Sequence, residues 1–208
     1  MLFFLMNMKE EKFKPNLIVE EMWSHLEKSI KDRNHDFHSA VFTNLDKEGL
    51  PSSRTIILRN ISKKNKKIVF HSDYRSPKIE EIKKNNKCLL LFYSPVLKIQ
   101  LRMKVQSTID YCNEISNTAW DNTKLMSRKC YLTSVAPGEI ISSASDNLPD
   151  NLKGKEPEKL QSEKGYKNFS VVTNQVQSID WLFLSSNGNK RILFDYSNNN
   201  NSFNWINP

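Results

Sequence analysis

Between residues 15 and 31 apolar side chains recur at every fourth position, Ile18, Met22, Leu26 and Ile30, with Trp23 beside them. That spacing lines them up on one stripe, and it predicts an amphipathic helix over residues 15–33. The period then shortens to two. Residues 39–45 and 53–61 read as strands joined by Asp46-Lys47-Glu48-Gly49, a hairpin turn in which glycine supplies the positive φ. A second hairpin turns over residues 62–66 into a strand at 67–72. Ser76 then suits a helix N-cap, Pro77 the first helical position, with Glu80 and Glu81 early and Lys83 and Lys84 late.

Beyond that helix, residues 88–93 form an unbroken apolar run, expected as a strand covered on both faces. From 98 to 111 the chain alternates: Ile99, Leu101, Met103 and Val105 share one face, and Lys98, Gln100, Arg102 and Lys104 the other. A helix over 113–128 carries Ile115, Ala119, Trp120 and Met126, and two late strands cover 169–184, bent or broken, and 190–196. Residues 142–166 are polar and read as a long, partly mobile loop with room for a short helix, and 198–201 as an asparagine-rich turn. Strands follow one another without a regular helix between them. The expected fold is therefore mainly β with flanking helices, a six- to seven-stranded antiparallel barrel in a single domain over residues 1–208.

Composition narrows the function. The 208 residues hold 31 Lys+Arg against 23 Asp+Glu, a formal charge of +8, which points to an anionic partner without saying which. No apolar run reaches the ~20 residues of a membrane helix. The apolar start Met1–Met6 is too short for a secretory leader and is expected to pack on the body or fray. Cys88, Cys112 and Cys130 are odd in number with no CxxC pair, which suggests free thiols and a cytoplasmic setting. His25, His35, His38 and His71 show no metal-ligand spacing, and no GxGxxG or phosphate loop occurs. The cluster Lys63, Lys64, Lys66, Lys67 sits in a turn without interleaved aromatics, so a solvated loop accounts for it better than a nucleic-acid patch.

What remains is a set of groups suited to an anion. Ser72, Ser76 and Lys78 surround the start of the Pro77 helix, where free N–H groups and the helix dipole attract phosphate. Arg54 starts the strand that pairs back toward that helix and could offer a bidentate guanidinium. Gln100 and Arg102 share a polar strand face suited to the edge of a heteroaromatic ring.

The order of these groups, Arg54-Thr55-Ile56-Ile57-Leu58-Arg59, then Phe70-His71-Ser72-Asp73-Tyr74-Arg75-Ser76-Pro77-Lys78, then Gln100-Leu101-Arg102, resembles the FMN-binding split barrels of the pyridoxamine 5′-phosphate oxidase family. The family pattern is an R-x-V-x-L-K/R strand, an F-x-T/S-x-x-x-S-x-K turn into a helix, and a Q-V/L-R strand. Trp120, Pro137-Gly138, Asp180-Trp181-Leu182 and Lys190-Arg191 fall where one branch of it has similar motifs. The resemblance implies that Arg54 and Lys78 hold the phosphate of FMN, with Ser72 or Ser76 assisting. It places main chain and side chains of Thr55, Ile56, Ile57 and Leu58 along the flavin ring, and adds Arg59, His71, Gln100 and Arg191 to the cofactor contacts. It also implies a homodimer with FMN at the interface.

Arg54 and Arg59 are five apart, so strict alternation sets them on opposite faces unless a bulge intervenes. The family's substrate-side pattern is less complete. Ser76-Pro77-Lys78 stands where the pattern has S-R-K, and Asn187-Gly188-Asn189-Lys190-Arg191 lacks the R-x-H element that precedes the last arginine. The expected function is thus an FMN-dependent oxidoreductase with an unassigned substrate other than pyridoxamine phosphate, Arg102, Arg128 and Trp120 being candidates for the substrate side. The alternative is an FMN carrier or sensor without turnover. A nucleic-acid-binding barrel is disfavoured because Phe92, Tyr93 and Trp181 sit in apolar runs and read as core.

Overall fold

The computed structural model describes residues 13–197 and 202–208. The expectations for Met1–Met6 and for residues 198–201 lie outside these. Helix α1 (Pro15–Lys31) buries Ile18, Met22, Trp23 and Leu26, the residues its periodicity singles out. Strands β1 (Ser39–Leu45), β2 (Pro51–Ser62) and β3 (Lys67–Asp73) form two successive hairpins, followed by α2 (Pro77–Lys84), β4 (Lys87–Ser94) and β5 (Ile99–Asp110). Two short helices, α3 (Glu114–Asp121) and α4 (Leu125–Arg128), replace the single helix expected over 113–128. Asn113 caps α3 through a reciprocal bond with Ser116, and the α-helical ladder breaks at Asn122. After α5 (Lys159–Ser162) come β6 (Phe169–Phe183), β7 (Lys190–Asp195) and β8 (Ser202–Ile206). The last is an eighth strand that the sequence reading did not anticipate.

The strands run antiparallel in the order β3-β2-β1-β4-β5-β6-β7-β8, and a further β3–β6 pairing closes the first six into a barrel. β6 makes this possible by serving two partners on one edge. Its first half pairs with β3 (Ser72↔Ser170) and its second half with β7 (Leu182↔Arg191). A register shift at Lys104/Val105, where the pairing steps from Ser178 to Val176, is the bend expected of this strand.

Inward side chains of all six barrel strands form one core with α1 and with Ile79 and Ile82 of α2. A smaller cluster of Trp120, Tyr131, Phe169 and Val171 covers the outer face where β3 meets β6. Residues 142–166 are less loop-like than their composition suggests. Asp150–Leu152 and Glu163–Asn168 are 3-10 turns, α5 lies between them, and Leu152, Ser162 and Gly165 are buried.

On the opposite side, the outer face of β2, β1, β4 and β5 stands open. Val41 and Ile57 are more than a third exposed there and Tyr93 is 50% exposed. This corrects two expectations: the 88–93 strand is covered on its inward face only, and Tyr93 is surface while Phe92 and Trp181 are core.

Candidate functional site

β2 and β3 begin as a regular ladder at Ser62↔Lys67 and stop pairing at Leu58↔Phe70. β3 pairs with β6 along its whole length, whereas beyond that point it no longer pairs with β2, and residues 54–57 of β2 keep ladder partners on the β1 side only. The two strands therefore splay into a wedge, with β2 main chain on one wall and the turn from Ser72 to Lys78 on the other. The register slips between Leu58 and Asn60, so a bulge sits at Arg59, as the five-residue spacing of the two arginines allowed.

At one end of the wedge four candidates meet. The Lys78 ammonium donates to Ser76 Oγ at 2.7 Å and to Ser72 Oγ at 3.0 Å. Ser76 occupies the N-cap position of α2, yet its side chain makes no capping bond. Burial, and then the nearby Arg54 charge, lower the Lys78 pKa from the usual lysine range. The Arg54 guanidinium donates to Asn44 Oδ1 and, at 2.7 Å, to Ser52 Oγ, and lies 3.8 Å from Glu81 Oε2. Two cations thus share a half-buried corner with Glu81, and Asp73 of the turn also acts on Lys78.

Neighbouring side chains fix that corner. Arg75 chelates Asp73 (2.7 and 3.0 Å) and reaches the carbonyl and hydroxyl of Thr133, bracing the turn against the 133–138 segment. Gly138 closes on the Pro77 ring, where a Cβ would come within 3.3 Å. Sequence reasoning missed Asn44 and Glu81 as Arg54 partners. Asn44 carried a usable signal, since it follows Ala40 and Phe42 on the inward face of β1, where a polar residue needs a partner.

Along the wedge, Thr55 and Ile57 point outward, whereas Ile56 and Leu58 are buried in the core. Only the main chain of those two can face a ligand, which corrects the expectation for their side chains. At the far end, Arg59 and His71 open into a cavity of about 940 Å³ that also takes in Lys31, Arg33, Glu114 and Lys124. Burial and then Arg59 push the His71 pKa down to about 4, so the imidazole is neutral near pH 7.

Gln100 and Arg191 lie elsewhere. Register carries Gln100 to Tyr93 on β4 and to Leu182 on β6, and Leu182 to Arg191 on β7. Gln100 is three strands from β2, roughly 14 Å at the usual strand spacing, and Arg191 on β7 is likewise three strands away through β3 and β6. Arg191 donates to Asp180 at 2.9 and 2.7 Å, and Arg102 grips the same carboxylate. Burial alone would raise the Asp180 pKa, but these two guanidiniums hold it below the usual carboxylate range.

Arg128 and Trp120 are structural in this fold. Arg128 is 3% exposed, and its five N–H groups meet Thr123 O, Trp120 O, Asp121 O, Ser162 Oγ and Glu163 Oε1. The Trp120 indole donates to the other oxygen of Glu163 at 2.9 Å. Both side chains staple α3 and α4 to the 163–168 turn, which leaves them no donor for a substrate.

Residues 20–110 match the family model described as pyridoxamine 5′-phosphate oxidase, FMN-binding domain. The pyridoxine/pyridoxamine 5′-phosphate oxidase of Bartonella henselae is 32% identical over 79 residues, covering 38% of this chain and 37% of that one. The enzyme of the same name from Legionella pneumophila strain Paris is 24% identical over 150 residues, covering 71% and 68%. The chain thus spans little more than a third of the first relative and about two thirds of the second. In three dimensions it resembles a pyridoxamine 5′-phosphate oxidase-related, FMN binding protein from Nostoc punctiforme, with TM-score 0.71, 19% identity and coverage of 94% and 99%. PhzG from Burkholderia lata, solved with tetrahydrophenazine-1-carboxylic acid, gives TM-score 0.69 at 12% identity over 94% and 93%. These likenesses establish the split-barrel fold. The matched segment holds the whole wedge, so the likeness to the FMN-binding domain of pyridoxamine 5′-phosphate oxidase falls on the candidate site.

Proposed function

We propose that the wedge between β2 and the Ser72–Lys78 turn holds FMN, and that the protein is an oxidoreductase using it on an anionic donor. The observation that carries this reading is the Lys78 ammonium, drawn in among two serine hydroxyls beside Arg54. A phosphate placed there satisfies both cations, accepts from both hydroxyls and offsets the burial and the Arg54 charge that lower the Lys78 pKa. The fit extends along the wedge. The β2 edge at residues 54–57 offers main-chain donors and acceptors free of a β3 partner, and Thr55 and Ile57 supply the outward side chains.

When bound, FMN supplies the two-electron redox chemistry, and the protein supplies position and electrostatics. Arg59 and His71 mark where the wedge opens into the 940 Å³ cavity, which is the donor side of the site in this reading. Lys31, Arg33, Arg59 and Lys124 against Glu114 favour an anionic donor. His71, neutral near pH 7, presents a hydrogen-bonding ring without adding charge. The donor's identity is left to that chemistry, and residues 187–191 support a donor other than pyridoxamine phosphate.

The functional unit in this proposal is a homodimer. Gln100 and Arg191 are too far from Arg54 to serve the same flavin within one chain, and the open face of β2, β1, β4 and β5 lies between them. A second copy docked on that face brings its own polar strand residues against the first copy's wedge. Among the described residues no helix is long and apolar enough to cross a membrane, and the free thiols support a reducing, cytoplasmic setting.

One observation favours the carrier reading. Arg191 is occupied by Asp180, so the chain's last basic motif is committed to an internal ion pair. Screening reduced amine, alcohol and nicotinamide donors against FMN-loaded protein separates the two. Flavin bleaching by any anionic donor supports the oxidoreductase, and bleaching by none supports the carrier.

A further inference from the structure

Between the Arg54 guanidinium and the Glu81 carboxylate stands a neutral side chain, Asn44. The three groups come from different elements, Asn44 from β1, Arg54 from β2 and Glu81 from α2. Asn44 is 2% exposed, and both ends of its amide are engaged. Nδ2 donates to Glu81 Oε2 and to Leu45 O, each at 2.8 Å, while Oδ1 accepts from Arg54 Nη1. This orientation is not free to reverse. A carboxylate and a carbonyl only accept and a guanidinium only donates, so the amide nitrogen must face Glu81 and Leu45 and its oxygen Arg54.

The amide keeps an opposite pair apart. Arg54 Nη2 lies 3.8 Å from Glu81 Oε2, beyond hydrogen-bond reach, and donates instead to Ser52 Oγ at 2.7 Å. That Oε2 atom is the one Asn44 occupies. Register explains the meeting. Phe42 stands opposite Arg54 and Asn44 opposite Ser52, so all four share one face of the β1–β2 hairpin, with the guanidinium carbon 5.7 Å from the centre of the Phe42 ring. Burial lowers the Arg54 pKa and Glu81 offsets part of that, so the carboxylate acts on the arginine without a hydrogen bond. If the amide is removed, Glu81 is free to close on the guanidinium as a bidentate pair, the geometry arginine favours. Such a pair commits to Glu81 the N–H groups that a phosphate needs.

We propose that Asn44 is a positioning residue that insulates Arg54 from Glu81 and so keeps the guanidinium available to a phosphate. Glu81 then tempers the charge of the buried corner without taking the arginine's donors. This inference rests on the flavin reading and adds to it a residue that need touch no ligand.

The test compares FMN with riboflavin, which lacks the phosphate, by fluorescence titration of the full chain. Asn44→Ala, Glu81→Gln and the double variant are measured beside the parent. Circular dichroism checks that each folds, and Asn44→Ser takes the place of Asn44→Ala if the latter does not. Asn44→Ala is expected to lower FMN affinity by about fivefold or more and to leave riboflavin affinity within about twofold. Glu81→Gln alone should hold or raise FMN affinity, and in the double variant it should restore affinity to within about twofold of the parent. Parallel losses of FMN and riboflavin, or a loss that Glu81→Gln does not rescue, overturn the proposal, because Asn44 then serves only the fold. So does an Asn44 variant that binds FMN as tightly as the parent. A parent that takes up no FMN is a separate failure, which overturns the flavin reading and this inference with it.

Discussion

The ammonium of Lys78 reaches 2.7 Å back to the hydroxyl of Ser76, the residue at the N-cap of its own helix. A serine in that place ordinarily accepts from the helix backbone, a contribution of about 1 kcal/mol. Here the hydroxyl serves the lysine instead, and the first backbone N–H groups of α2 forgo a side-chain cap. With Pro77 at the first helical position and Ser72 on the lysine's other side, the ammonium and both hydroxyls converge at the start of the helix. The phosphate of the proposed FMN site would meet the lysine, the hydroxyls and the helix terminus at once.

Lys78→Met removes the buried cation while keeping its length. FMN affinity is expected to fall by at least tenfold, the scale of a charged hydrogen bond at ~1.5–3 kcal/mol. The thermal midpoint of the FMN-free protein should hold or rise, because that cation lies in a corner that lowers its pKa. Flavin fluorescence titration and thermal unfolding check the two halves. A variant that loses stability and affinity together would mean that Lys78 acts through the fold.

Arg54→Ala is expected to weaken FMN binding by about 1.5–3 kcal/mol, whereas Lys63→Ala leaves it unchanged. Lys63 belongs to the basic turn and pairs with Glu20 of α1, away from the wedge. Equal losses by titration would move the phosphate to the turn.

His71 supplies an acid-side dependence of stability. Its unfolded pKa is near 6.5 and its folded pKa about 4, so in that window the unfolded chain binds the extra proton. Stability therefore falls as pH drops from about 6.5 to about 4, by on the order of 3 kcal/mol at full extent. His71→Gln should flatten this part of the profile in denaturant titrations at pH 7, 5.5 and 4. Parallel profiles for parent and variant would assign the acid loss to other groups.

Arg128→Leu is expected to cost about 3 kcal/mol or more in chemical denaturation, since it removes the donors to the Trp120 and Thr123 carbonyls and to Ser162 from a buried position. At saturating FMN the folded variant should keep its flavin absorbance unchanged. A changed flavin spectrum would place Arg128 at the cofactor.

In the proposed homodimer, Tyr93→Asp puts a charge in the middle of the contact face and should halve the mass measured by light scattering, with FMN affinity lost in parallel. Retention of the parent mass would place the subunit contact elsewhere.

The strands were legible because their burial alternates: Ile99, Leu101, Met103 and Val105 turned inward as their spacing required. The covering of β4 was not, because residues 88–93 are apolar at every position and periodicity cannot say which face is open. β8 escaped notice for another reason. Its five residues follow an asparagine tract and carry Phe203 and Trp205 on the side that continues the core, a relation visible only through register with β7. In the site, the cluster of Arg54, Ser72, Ser76 and Lys78 could be read from motif order. The separation of Gln100 and Arg191 from it depends on which strands lie between, and pairing order is not written locally in the chain. Arg128 and Trp120 show the same limit. Their residue types suit a substrate, and only the position of Glu163, 35 residues after Arg128, turns them into a structural staple.

The most direct test of the account is a titration of the purified chain with FMN, followed by flavin absorbance and fluorescence. The account predicts saturable binding of one FMN per chain, weakened about tenfold or more on substitution of Arg54 or Lys78. Protein that carries no flavin and takes up none would contradict it, since the wedge, its cations and the likeness to FMN-binding domains all lead to that one ligand.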